Sequence, residues 1–198
     1  FFTSEAECFA DVARELGLIE YSPYVYARHP LVYLMEAADD ICYQIMDIED
    51  AHKLKILSCD TVLKLFLNYF CDERQQHMQA VVDSIDDNNE KVAYLRSCVI
   101  GELVSECAQV FVDSEEQILC GAFSGSLIDN ISELPGQAYA ACSHTAWTKL
   151  YNSSDVVDIE LAGNQIITFL LDRLLDAVMN PDKNYSKLLL SRVPHQYD

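Results

Sequence analysis

Arg28-His29-Pro30-Leu31-Val32-Tyr33-Leu34-Met35-Glu36-Ala37-Ala38-Asp39-Asp40-Ile41-Cys42-Tyr43-Gln44-Ile45-Met46-Asp47-Ile48-Glu49-Asp50 is the stretch on which the reading of this chain turns. Pro30 has no N–H and a φ fixed near the helical value, so it suits the first turn of a helix. The pattern that follows predicts one long helix over 30–57. At about 100° per residue, Leu31, Leu34, Met35, Ala38, Ile41, Cys42 and Ile45 fall on one side, the expected core face. Glu36, Asp39, Tyr43, Asp47 and Asp50 fall on another side, within an arc of about 80°. Carboxylates one turn apart destabilise a helix by about 0.2–0.5 kcal/mol per pair. No Lys or Arg stands on the stripe to offset them. Two readings are open: a solvated face, or a stripe partly turned to a cleft where a metal ion or ligand hydroxyls satisfy the oxygens. Carboxylates suit hard divalent cations, although one alone makes no metal site.

The flanking sequence is helical as well. Ser4 and Glu7 have capping-box spacing ahead of a helix over 4–16, with Gly17 as its C′ residue. A tyrosine-rich loop over 21–29 leads into the long helix. Further helices are expected over 61–71, 72–85 and 90–111, the last with Val92, Leu95, Val99, Leu103, Cys107 and Val110 as its core stripe. Asp86-Asp87-Asn88-Asn89 is a polar turn. Short helices over 126–132 and 136–151 flank Pro135, and a strong one over 155–179 carries Leu161, Ile167, Leu170, Leu171, Leu174, Leu175 and Val178. Asn180-Pro181 stops it. Six Gly, five Pro and 51% hydrophobic residues in 198 point to a helical, core-forming chain and away from disorder.

The net charge of −19 excludes the chain by itself as a partner for nucleic acid or an anionic membrane. No apolar run approaches the roughly 18 residues of a bilayer span. Eight cysteines without a CxxC pair read as free, buried thiols of a reducing cytosol. The sequons at Asn130, Asn152 and Asn184 would matter only in a secreted protein.

The run from Arg28 to Tyr43, continued by Asp47-Ile48-Glu49-Asp50, closely resembles the segment that closes the active site of bacterial dGTP triphosphohydrolases. These are HD-domain phosphohydrolases, whose metal site is made by an early His, a His-Asp pair and a later Asp. The resemblance implies that Asp39 is that later metal ligand. It also implies that Tyr43 meets the deoxyribose and Asp47 accepts from its 3′-hydroxyl. Residues at i, i+4 and i+8 climb one face by about 6 Å per step, a scale comparable with a nucleotide. The segments 95–103, 118–123 and 159–163 resemble the family's later helices less specifically.

What the resemblance implies is an all-α, compact, multi-helix HD-domain-like bundle, the C-terminal part of a larger helical enzyme. Residues 1–60 would end the catalytic core, and 61–198 would pack on it. The reaction implied is metal-dependent hydrolysis of a dNTP, dGTP above all, to the deoxynucleoside and inorganic triphosphate. Mg²⁺, Mn²⁺ or a similar divalent ion would be the cofactor, with a homo-oligomeric, cytoplasmic protein as the setting. The pattern also departs from the family. No His-Asp dipeptide occurs, and His29, His52, His77, His144 and His195 are isolated. The chain would therefore supply part of a site completed by a missing N-terminal part, which would bring the other three metal ligands, any catalytic His and the basic residues that hold the triphosphate, and by itself be inactive. Its opening on Phe1-Phe2 reads as a piece of something longer. The alternatives are a non-catalytic helical module for oligomerisation or regulation, and another HD-type phosphohydrolase. Arg28 is the cation nearest the stripe in sequence and a candidate for a phosphate; His29 is expected in a loop or cap role, His52 as a helix-end or packing residue, and His144 with Trp147 as local packing.

Overall fold

The computed structural model describes residues 1–193, with Asp155 described by its backbone alone; His195 lies outside the described residues. Two compact units divide the chain, Phe1–Leu150 and Tyr151–Asp198. The protein is all-α: among the described residues the strands are the two of one small antiparallel hairpin.

The first unit opens with a 3-10 turn and helix α1 (Ala6–Glu15), closed by Gly17 at φ +68° as a left-handed C′ residue. The hairpin β1 (Glu20–Ser22) and β2 (Val25–Tyr26) replaces the expected loop; Tyr24 at φ +63° makes its turn. Helix α2 (Pro30–Lys53) begins as its sequence dictates. Pro30 sits in the first turn, and the His29 side chain caps it, with Nδ1 accepting from the Leu31 N–H at 3.2 Å. It ends earlier than 57 because Lys55 turns into the left-handed region at φ +61°.

Helices α3 (Cys59–Leu67), α4 (Asp72–Asp83) and α5 (Asn88–Asp113) follow. Ser58 caps α3, and Asp87 caps α5 through Asn89 and Glu90 N–H groups at 2.8 and 2.9 Å. A short α6 (Glu115–Leu119) and a 3-10 turn precede α7 (Glu133–Thr145), which carries Pro135 in its first turn. A π-helical turn over Ala146–Tyr151 follows it.

Helix α2 packs chiefly on α5, and α3 and α7 close the bundle. The α5 stripe behaves as its periodicity requires: Val92, Leu95, Val99, Leu103 and Cys107 are buried, with Val110 partly so. The α2 face does not. Tyr33, Ala37, Ile41, Ile45 and Ile48 are buried, whereas Leu31, Leu34, Met35, Ala38 and Cys42 are exposed. Helix α2 is apolar on two faces, and contact with α5 selects the one opposite Asp39. Each aliphatic side chain fully buried there contributes about 1.5–3 kcal/mol.

In the second unit, α8 (Ser154–Met179) forms a hairpin with α9 (Asn184–Leu190). Ala177 and Ser186 are buried, while Leu161, Ile167, Leu170, Leu171, Leu175 and Val178 are exposed, contrary to a core stripe. All eight cysteines are free, but only Cys107 and Cys142 are buried; Cys8, Cys42, Cys71 and Cys120 are exposed. No helix of the described residues is long and apolar enough to cross a membrane.

Candidate functional site

The outer face of α2 carries the acidic stripe. Rotation about the helix axis places Asp39 almost opposite Ile48, which is fully buried. Asp39 is exposed, Tyr43 is 67% exposed and Asp47 is half-buried. Beside Asp39 runs an open groove of about 640 Å³, lined by Val32, Met35, Glu36, Ala38, Asp39 and Cys42. It is mostly apolar at its walls, with two carboxylates among them. Tyr43 and Asp47 continue the same face toward the helix C-terminus, one and two turns beyond Asp39, without lining the groove.

Asp39 and Asp40 are chemically distinct despite their adjacency. Asp40 is half-buried beneath α7, where the Tyr139 hydroxyl donates to its backbone carbonyl at 3.1 Å. Burial raises the Asp40 carboxyl above its ordinary value, and the charges of Glu36, Asp129 and Asp39 raise it further. The same seam pushes the Tyr139 hydroxyl up to about 12 and the Cys107 thiol up to about 11, burial leading in both cases and Asp40 adding to it. One member of the pair faces outward and the other supports the bundle.

Cations reach the stripe from outside it. Arg28 Nη1 donates to Glu36 Oε2 at 2.9 Å and to the Gly125 carbonyl at 3.3 Å, and its guanidinium lies 5.5 Å from the centre of the Tyr33 ring. Lys53 Nζ stands 3.4 Å from Asp50 Oδ1 and 3.3 Å from Glu49 Oε1. Glu49, which sequence reasoning left without a role, is 5% exposed and takes a 2.6 Å hydrogen bond from Arg96 Nη1 of α5. Burial by itself would raise its carboxyl; the hydrogen bonds from Arg96 and Lys53 outweigh that and hold it below the ordinary range. No local sequence signal could have found this pair, because its members are 47 residues apart.

Among the described residues no cluster of three or more His, Cys, Asp or Glu side chains stands close enough to hold a metal ion. Asp39 is a single carboxylate at a groove, and a hard divalent cation takes six or more oxygen ligands. The histidines do not supplement it. His29 is engaged as a helix cap, and His52 Nδ1 lies 3.4 Å from the Leu57 carbonyl at the other end of α2. His144 and Trp147, expected as packing residues, are exposed, Trp147 to 65%.

Comparison with known proteins gives a consistent set of relatives, although no family profile matches the chain. A deoxyguanosinetriphosphate triphosphohydrolase-like protein of Synechocystis is 34% identical over 206 residues, covering 100% of this chain and 43% of its own length. A protein of the same description from Listeria monocytogenes is 32% identical, over 78% of this chain and 35% of its own. The deoxyguanosinetriphosphate triphosphohydrolase of Salmonella typhimurium is 30% identical over 87% of this chain and 35% of its own. The chain thus spans less than half the length of these relatives.

Proposed function

The chain belongs to the deoxyguanosinetriphosphate triphosphohydrolase family, and on that premise we propose that it supplies the outer face of α2 to a site hydrolysing a deoxynucleoside triphosphate to deoxynucleoside and inorganic triphosphate. The observation that carries this reading is the placement of Asp39 in a groove, with Tyr43 and Asp47 above it on the same face. Asp39 would serve as one ligand of a divalent ion of the Mg²⁺ or Mn²⁺ kind whose other ligands lie outside this chain. The chemistry such an ion supplies is polarisation of a phosphate oxygen.

The remaining roles belong to this chain's own side chains. The Tyr43 ring, 67% exposed, is free of the core and able to lie along a deoxyribose, where close packing against the sugar would disfavour a 2′-hydroxyl. Asp47, one further turn along, accepts from the 3′-hydroxyl. The buried face of α2 holds all three side chains in one direction, which lowers the ordering cost of binding. dGTP is the expected substrate, as the descriptions of the relatives suggest.

The test is Asp39→Asn in the full-length protein, a nearly isosteric change that removes one charge. Triphosphate release from dGTP should be lost, and the metal retained after dialysis should fall. Undiminished release by this variant would remove Asp39 from the site.

A further inference from the structure

The groove at Asp39 needs a cation that α2 does not itself provide. A chain of net charge −19 repels a triphosphate unless positive charge is held locally. Of the Lys and Arg side chains among the described residues, Arg28 is the one that reaches a carboxylate of the groove, at Glu36.

Its surroundings are unusual for a simple surface pair. The guanidinium has three anchors: the Glu36 carboxylate, the Gly125 carbonyl and the face of Tyr33. An ion pair this exposed, at 49% for Arg28 and 37% for Glu36, adds little to stability. The anchors do something else. They fix a long, flexible side chain in one place, so that binding an anion costs less conformational entropy. Both anchoring hydrogen bonds leave from Nη1, which leaves the Nε and Nη2 N–H groups without a protein hydrogen bond among the described residues. Those two edges suit a phosphate oxygen pair.

Direction along the helix agrees. Tyr43 and Asp47 lie on the C-terminal side of Asp39, while Glu36 and Arg28 lie on its N-terminal side. A nucleotide with its sugar at Tyr43 and its reacting phosphate at Asp39 extends its other phosphates toward Glu36, about 4.5 Å of helix rise away.

We propose that Arg28 is an anion-binding residue that this chain contributes to the site, taking the distal phosphates of the triphosphate; the assignment rests on the substrate reading above. Glu36 is then the positioning residue that holds Arg28 in place through Nη1 while Nε and Nη2 take the anion.

The experiment measures inhibition of dGTP hydrolysis by inorganic tripolyphosphate and, separately, by deoxyguanosine, in the full-length protein. Arg28→Ala should weaken tripolyphosphate by about tenfold or more and leave deoxyguanosine within about twofold. Arg28→Lys should fall between, since it keeps charge and loses the planar fork. Glu36→Gln keeps Arg28 but weakens its anchor, so it should weaken tripolyphosphate by less than Arg28→Ala does and leave deoxyguanosine within about twofold. Lys64→Ala on α3, a remote cation, should change neither inhibitor and so calibrates general charge effects. If Arg28→Ala weakens deoxyguanosine as much as tripolyphosphate, or if Arg28→Ala matches Lys64→Ala, the pair is a structural latch and the proposal is overturned while the substrate reading stands. If the wild-type protein releases no triphosphate, both fall together.

Discussion

Removing the Arg96 guanidinium should cost this protein more than any exposed charge, because it leaves Glu49 buried without its main partner. Breaking a buried ion pair at one end costs about 3–5 kcal/mol. Two features place Arg96→Met at or below the low end. The Arg96 side chain is 28% exposed, so water already screens part of the pair. Lys53 Nζ also remains 3.3 Å from the other Glu49 oxygen. The expected loss is therefore about 2–3 kcal/mol.

The double variant Glu49→Leu/Arg96→Met should recover most of that loss, since an apolar pair of similar size incurs neither desolvation penalty. Urea unfolding followed by circular dichroism, with unchanged slope, gives both numbers. Acidity provides a second reading. A carboxyl held lower in the folded state contributes stability above its unfolded value and loses it as pH falls through its folded one. The advantage of wild type over Glu49→Gln should then be full at neutral pH and shrink below pH 4.5. An Arg96→Met variant within about 0.5 kcal/mol of wild type would refute the buried-pair argument. So would a gap to Glu49→Gln that widens in acid.

Tyr43→Ala in the full-length protein should raise KM for the deoxynucleotide and relax rejection of the ribonucleotide, measured as the ratio of the two kcat/KM values; unchanged discrimination would remove the sugar role. Two glycines should respond oppositely to alanine. At Gly121, φ is +73° and a Cβ would stand 2.5 Å from the Tyr21 hydroxyl, so Gly121→Ala should destabilise by about 1–2 kcal/mol or more. Gly163, inside α8 with nothing near its Cβ position, should gain about 0.5–1 kcal/mol, seen as a raised midpoint in urea.

The helices were legible because their signals are local. Pro30 behind a capping His29, the polar 86–89 stretch at the start of α5 and the αL Gly17 each act within four residues of the boundary they set. What was not legible depended on distant partners. Periodicity pointed to one core face of α2 that included Met35 and Cys42, and only α5 decides that Ile41, Ile45 and Ile48 go inward while Met35 and Cys42 stay out. The exposed apolar ring of α8 has the same cause in reverse: its pattern demands cover but does not name it. Helices α6 and α9 span less than two turns or barely that, too short for a period to register. At the candidate site, the spacing of Asp39, Tyr43 and Asp47 was visible on a helical wheel. The split between Asp39 and Asp40 was not, since it is made by Tyr139 from α7.

The segment leading into α2, together with the helix's first turn, is moored to the rest of its unit by acceptors that belong to the backbone. Tyr21 donates to the Gly121 carbonyl, Arg28 to that of Gly125 and Tyr33 to that of Phe123, across 100, 97 and 90 residues. Such closures are entropically expensive until the intervening chain is in place. The hairpin should therefore be the last part of this unit to gain protection against hydrogen exchange during refolding, and the first to surrender it. Because carbonyls do the accepting, the exposed side chains of Ala122 and Ser124 are left open to drift over evolutionary time without loosening the mooring, while Phe123 is held by its edge-on ring contact with Tyr33.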